Sequence, residues 1–412
     1  MDYVKGLFNS PKGRANCYFM ANRMGATDGQ NLNHMLTHSP WEHGELFKMI
    51  LTQSIKLLRT QKQLICILMD EVGHRKKGKH SACVGRQYLG SIGKHDNGQV
   101  AVASALSAGE FYCPVEMGLF MPQDWEDDLP RRKKAGIPDS VRHQSKTVMA
   151  LRMIKGLYKK LSKDVECVVF DALYGNCIEL LKYLVDRKVP FVGDVKKSQT
   201  IYLKQPQWGM PAYSGRGPWF TKRRPTKNAV QPDAYFRTLG KKDFTHLSLR
   251  NGTKGAITAL YHMCKVWVLH PESKTFLELH LPIRKDSDGK VKYSFGFFND
   301  RTTMKRMAKA QGQRVYVERV FEEGKNIVGM GDYQTRSWTG FHRHAALSSL
   351  ALLFLMEQKI KGYKTIGKIT AYHIQELVNA TIRTLSSLEQ IIQRLSKQIP
   401  EYQIQNQLKI VT

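Results

Sequence analysis

Two short apolar runs that each end in an aspartate constrain the fold of this chain more than any other feature. Leu64-Ile65-Cys66-Ile67-Leu68-Met69 leads into Asp70-Glu71, and Val165 to Phe170 leads into Asp171. An apolar run of this length reads as a buried strand. A carboxylate at the end of such a strand is costly to desolvate unless something compensates it. A helix amino terminus facing the acid is one plain compensation. Two such acids on neighbouring strands also suit a divalent metal, because Mg²⁺ prefers oxygen ligands and typically takes one or two protein carboxylates together with substrate phosphate. Paired metals can clamp the attacking and leaving oxygens of a phosphodiester.

The rest of the chain is read around these runs. Residues 1–60 show helical spacing without strand alternation. Ser39-Pro40-Trp41-Glu42 has the grammar of a helix start, with Leu46, Phe47, Ile50, Leu51 and Ile55 following at helical intervals. This helical module is a candidate for binding DNA ends, or else a packing accessory to the next domain. Val84 to Ile92 and Val100 to Leu119 are strand candidates, Ser145 to Lys163 and Cys177 to Lys188 are helices, and Pro190 to Asp194 begins another strand. Strands in a meander and then alternating with helices indicate a mixed α/β domain over residues 61–200. Residues 201–300 hold Pro206, Pro211, Pro218, Pro225 and Pro232 and strand-like pieces at Lys254 to Leu260, Val266 to Leu269, Thr275 to Leu281 and Val291 to Phe297. They read as a β-rich insertion. Within 301–360 helical pattern resumes near 302 and continues through 325, another helix runs from about Thr339 to Lys359, and 361–412 forms a helical tail with Ile382, Leu385, Leu388, Ile391, Ile392 and Leu395.

Composition narrows the function. With 64 Lys and Arg against 35 Asp and Glu, the formal net charge is +29, on an ordinary apolar content of 42%. A chain so composed is not mainly disordered. The charge points to a polyanion, most commonly nucleic acid, whose condensed counterions Lys and Arg displace. No apolar stretch reaches the roughly 20 residues of a membrane span, and no signal peptide is evident at Met1 to Gly6. Seven scattered cysteines without CxxC spacing fit a reducing compartment, not a disulfide framework or a zinc site. His342 and His344 lack the i, i+4 spacing of helical metal ligands and read as surface or DNA-facing. Trp208, Trp219 and Trp267 read as core residues, although an aromatic in the insertion could also stack on an unpaired base.

A third acid would be needed to hold two metals. Arg314-Val315-Tyr316-Val317-Glu318-Arg319-Val320-Phe321-Glu322-Glu323-Gly324-Lys325 places Arg314 and Glu318 on one helical face, with Lys325 seven residues after Glu318. Basic residues on each side of an acid could bind the phosphates flanking a scissile bond. A solvated helix with favourable charge pairs is the plainer reading of the same spacing.

These segments together resemble bacterial insertion-sequence DDE transposases. Leu68 to Ser81 with Val84 to Gly90 resembles the first catalytic block and Val169 to Gly175 the second. Val317 to Lys325, followed by Tyr333 to His344, resembles the third. The resemblance is to the branch with a β insertion before the glutamate and a Tyr-x2-Arg-x3-Glu-x6-Lys signature. Arg314, Glu318 and Lys325 fit that spacing. The tyrosine position is Gln311, a departure that touches a DNA contact and not the metal site. Glu322 and Glu323 are rivals for the third acid, and Glu318 is preferred because only it has both flanking basic residues at the right spacing.

The resemblance implies an α/β, RNase H-like mixed-sheet catalytic core, interrupted by the β-rich insertion and flanked by helical N- and C-terminal segments. It implies Asp70, Asp171 and Glu318 as catalytic residues and ligands of Mg²⁺, with Mn²⁺ as a substitute. Arg314 and Lys325 would contact DNA, as would the basic loop Arg75, Lys76, Lys77 and Lys79, which also holds His74 and His80. The implied activity is nicking of double-stranded DNA at terminal inverted repeats and strand transfer into target DNA, by a homodimer on paired ends in the bacterial cytoplasm. An RNase H-like nuclease without strand transfer and a decayed DNA-binding derivative are the alternatives. Similar proteins carry more sequence ahead of Tyr3 to Leu7, so the chain is read as starting late.

Overall fold

The computed structural model describes residues 2–384 apart from 27, 162–163, 211–212, 214, 220, 253–254, 299–302 and 366–368. The tail positions Leu385, Leu388, Ile391, Ile392 and Leu395 lie outside the described residues. Four helices open the chain: α1 (Asp2–Asn9), α2 (Cys17–Arg23), α3 (Gln30–Thr37) and α4 (His43–Arg59). The start of α4 falls three residues after the expected turn. Glu42 occupies the cap position without a side-chain cap bond, and the Ser39 carbonyl accepts from Arg343 instead.

The core follows: β1 (Ile65–Arg75), β2 (Gly85–Leu89), β3 (Lys94–Ala108), β4 (Phe111–Leu119), α5 (Leu129–Lys134), α6 (Lys146–Leu161), β5 (Val165–Phe170), α7 (Ala172–Gly175), α8 (Ile178–Asp186) and β6 (Phe191–Val195). β4, β3 and β1 are successive antiparallel neighbours, and β5 and β6 then run parallel to β1. This order is the RNase H-like arrangement that the resemblance implied. Val100 to Leu119 is not one strand, because the chain reverses between β3 and β4 at Gly109, whose φ of +63° favours glycine.

Beyond β6 come the short pair β7 (Trp208–Gly209) and β8 (Arg224–Pro225), then α9 (Pro232–Phe236), β9 (Thr245–Gly252), β10 (Gly255–His270), β11 (Thr275–Lys285) and β12 (Val291–Phe297). β12 pairs antiparallel with β6, so the four long strands after residue 240 extend the core sheet to ten strands. The piece expected at Lys254 to Leu260, of which Lys254 lies outside the described residues, and the piece at Val266 to Leu269 both fall on the single strand β10. The chain ends in α10 (Met304–Gln313), α11 (Val315–Ile327), α12 (Trp338–Thr365) and α13 (Ala371–Thr384). One continuous apolar core includes Tyr3 and Leu7 of α1, Ile67 of β1, Leu279 of β11 and Phe341 of α12. Among the described residues no helix is long and apolar enough to cross a membrane.

Candidate active site

The site follows from strand parity. Successive side chains of a strand point to opposite faces. Asp70 reaches Arg314 at the head of α11, whereas Glu71 reaches Lys146 of α6 at 2.9 Å, so α11 and α6 cover opposite faces of the sheet. β1 and β5 pair Cys66 with Cys167 and Met69 with Phe170, and β5 and β6 pair Phe170 with Gly193. The next step of both registers aligns Asp70, Asp171 and Asp194 across three parallel strands. The thiols of Cys66 and Cys167 meet at 3.7 Å, and Asp70 and Asp171 share their parity, so these acids stand on that face. Close packing holds the row together. A side chain on Gly193 would collide with the Phe170 ring, and one on Gly175 with the Asp194 carbonyl.

The acids differ in surroundings. Asp70 is 15% exposed in its side chain and accepts the Glu71 N–H at 2.8 Å. Burial pushes its carboxyl up to about 7, Arg314 pulls it back, and the charges of Asp171 and Glu318 add to the rise. Asp171 caps α7 by accepting from Leu173 N–H at 2.9 Å. Burial raises its carboxyl too, against the pull of Arg314, and Asp194 adds to the rise. The helix cap offered as a plain compensation is therefore present, and the acid is still held above its ordinary range. Asp194 accepts from Ser294 at 2.8 Å and from Gln311 at 3.3 Å.

The helical pattern expected across 302–325 is broken at Arg314, which caps the end of α10 and the start of α11. Its guanidinium lies 3.0 Å from Glu318, 3.8 Å from Asp70 and 3.7 Å from Asp194. The structure thus brings Asp70, Asp171, Glu318 and Arg314 together. The Glu318 side chain is 54% exposed. Glu322 is exposed as well. Glu323 is buried and accepts from Tyr112 at 2.6 Å on the side of α11 that packs on β4, away from the acids. Asp194 was missed by the sequence reading. Phe191-Val192-Gly193-Asp194 has the same pattern of an apolar run ending in an acid, so the signal was present.

The basic residues divide. Arg75 pairs with Asp96 at 2.8 Å. Lys76 is not a free loop cation: its ammonium lies 3.4 Å over the Tyr333 ring, donates to the Tyr333 carbonyl, and is pushed down to about 8 by burial. Lys325 is half-buried, which lowers its ammonium. Lys77 and Lys79 are exposed with no ion pair among the described residues. Arg131 of α5 stacks 3.8 Å over Trp125 and donates to the carbonyls of Lys79 and Val84. That staple ties α5 to the chain segment around Lys79, and Lys133 and Lys134 of α5 are exposed as well.

Three expectations fail. His342 and His344 are buried, not at the surface, because α12 packs against β4 and the amino-terminal helices. None of the three tryptophans is a core residue: Trp208 and Trp267 are half-buried, and Trp219 is 73% exposed and stacks on Tyr213 at 4.3 Å. His74, expected with Arg75 in a basic loop, lies with it on β1 and is buried under Tyr333 and Phe341.

A family model described as DDE superfamily endonuclease matches residues 2–256. The chain belongs to the DDE superfamily endonucleases. The match contains Asp70, Asp171 and Asp194 and stops short of Glu318. A probable transposase for insertion sequence element IS701 from Microchaete diplosiphon is 33% identical over 158 residues, which is 38% of this chain and 38% of that protein. The NurA nuclease structure from Sulfolobus solfataricus covers 83% of this chain and 99% of its own, with 9% identity and a TM-score of 0.28.

Endonucleases of this superfamily generally work with divalent metal ions. Among the described residues no three Asp, Glu, His or Cys side chains stand close enough to one another to hold a metal ion. The donors nonetheless fit a hard cation. They are all carboxylate oxygens, and one or two suffice for Mg²⁺ when substrate phosphate completes the shell. Burial first, and the neighbouring acids after it, hold the carboxyls of Asp70 and Asp171 up, and a bound cation would draw them back down.

Proposed function

We propose that this endonuclease is an insertion-sequence transposase that nicks DNA at transposon ends with Mg²⁺ and joins the freed end to target DNA. The observation that carries the reading is that Asp70 of β1 and Asp171 of the β5–α7 junction lie side by side in the parallel register, with Arg314 bridging Asp70 and Glu318 of α11. The partial match to a probable transposase supports the choice of transposase within the superfamily. A bound divalent ion supplies Lewis-acid charge at the scissile phosphate and lowers the pKa of its water.

The chain's own residues supply the rest. Asp70 and Asp171 present oxygen ligands from a rigid sheet, which fixes the reacting phosphate relative to the protein. Glu318 approaches from the exposed side, where substrate enters. Arg314 and Lys325 bind the flanking phosphates. Lys77, Lys79, Lys133 and Lys134 hold the duplex through its backbone, whereas Arg75 and Lys76 contribute less because each already has a partner. In the first step water forms a new P–O bond as the bond to the 3′ oxygen breaks, leaving a 3′ hydroxyl and a 5′ phosphate. In the second, that hydroxyl forms a P–O bond to a target phosphate as another breaks, so no external energy is needed. Two ends must be paired, and a homodimer on DNA is the expected assembly.

The test is incubation of the protein with the inverted repeats flanking its gene, Mg²⁺ and a target plasmid. Joined product is expected. Cleavage without joining would leave the nuclease reading, and binding without cleavage would leave a DNA-binding derivative.

A further inference from the structure

Arg314 occupies the middle of the acid centre without being locked there. Its contacts to Asp70 and Asp194 are 3.8 and 3.7 Å, beyond the roughly 2.7–2.9 Å of a charge-assisted hydrogen bond. Only Glu318, on the exposed surface of α11, is at bonding distance. The Arg314 Nε is buried and has no hydrogen-bond partner. The guanidinium is therefore held by the summed charge of the acids more than by fixed bonds.

Asp194 is the opposite case. Its Oδ1 accepts from the Ser294 hydroxyl and the Gln311 amide, and Gln311 also donates to Ser294 at 2.7 Å. The Gln311 carbonyl oxygen in turn accepts from Tyr261 of β10. Ser294, Gln311 and Tyr261 are all buried. The network saturates one oxygen of Asp194 and leaves Oδ2 facing Arg314. Gln311 is the position at which the sequence departs from the signature tyrosine, and here it builds this carboxylate's support.

A guanidinium and a divalent cation compete for the same acids, since both are attracted to Asp70 and repel each other. We propose that Asp194 is a positioning residue that takes Arg314 away from Asp70 and Glu318 when a divalent ion enters. Arg314 is then a built-in counter-cation of the metal-free centre, and Asp194 is the place it moves to. Asp194 need not touch the metal. It acts by lowering the competition that Arg314 offers. This inference rests on the metal-dependent reading of the site.

The experiment is Mn²⁺ binding to the full chain without DNA, measured by isothermal titration calorimetry and by the loss of free-ion EPR signal. Arg314→Met is expected to tighten Mn²⁺ binding about tenfold, within the usual range of coupling between two sites. Arg314→Lys, which keeps the charge, is expected to leave it near the starting value. Asp194→Asn is expected to weaken binding about tenfold. In the Arg314→Met background the same Asp194→Asn change is expected to do nothing. A persistent loss in that background would make Asp194 a direct ligand and overturn the proposal. So would an Arg314→Met protein, folded by circular dichroism, that binds no tighter. A starting protein that takes up no Mn²⁺ would overturn the metal reading and this inference with it, whereas Mn²⁺ uptake indifferent to Arg314 overturns this inference alone.

Discussion

Two clusters of buried polar side chains lie in this molecule and meet burial in opposite ways. In α12, His342 and His344 are neutral and fully partnered. His342 accepts the Leu119 N–H and donates to the Trp338 carbonyl, and His344 accepts from the Tyr3 hydroxyl and donates toward the carbonyls of Gly329 and Met330. Burial pushes them down to about 3 and about 4, so they carry no charge near neutrality. In the acid centre the groups are alike in charge and share a single guanidinium. The first cluster is hydrogen-bonded for stability. The second holds charge that folding alone does not satisfy, which is where a phosphodiester substrate and a cation would act.

The comparison is sharpest for activity. Asp70→Ala and Asp171→Ala are expected to lower Mg²⁺-dependent DNA cleavage about a thousandfold or more, while His344→Ala leaves the rate of the folded fraction unchanged. Glu318→Ala is expected to match the aspartates and Glu322→Ala to stay near the starting rate. Single-turnover cleavage of a labelled end checks both.

Stability should answer in the other direction. His344→Ala removes the partner of a buried tyrosine hydroxyl and is expected to cost about 2–3 kcal/mol in urea denaturation. The two histidines also set a pH dependence. Their folded values lie below the ordinary 6.5, so the unfolded chain binds more protons in acid. Stability is full above about 6.5 and falls as pH drops toward 4, and His342→Gln with His344→Gln should flatten that fall.

Asp70→Asn is expected to stabilise the metal-free protein by about 1–2 kcal/mol near neutrality even as it abolishes cleavage. Its folded value of about 7 lies above the ordinary 3.8, so the native state holds a proton the unfolded chain has lost. Stability therefore falls as pH rises from 3.8 through 7, and the gain from asparagine should vanish near pH 4. Thermal melts across pH check this. The smallest effect is expected at the lysines proposed to hold the duplex. Lys133→Ala with Lys134→Ala should weaken DNA binding several-fold and lower the magnitude of the salt slope by about 2.

Much of this was legible in the sequence. An apolar run ending in an acid is a local pattern, and it placed Asp70 on β1 and Asp171 beside it because buried parallel strands leave little choice of neighbour. Spacing also placed Glu318 within reach of Arg314. What escaped was non-local. Asp194 belongs to the row only because β6 runs beside β5, and its support comes from β10, β12 and α10. Lys76 looked like a free cation because Tyr333 lies far along the chain. The histidines of α12 looked exposed because nothing near them announces Tyr3 or Leu119 as partners. The reversal at Gly109 was hidden within a long run of small and apolar residues.

Whether these acids form one divalent-ion centre is tested by iron-directed backbone cutting. Fe²⁺ replaces Mg²⁺, ascorbate and peroxide generate radicals at the bound ion, and the cut sites are read by mass spectrometry. Cuts are expected close to residues 70, 171 and 318, suppressed by Mg²⁺ and abolished by Asp70→Ala. Cuts elsewhere in the chain, or cuts at these positions that survive loss of Asp70, would contradict such a centre.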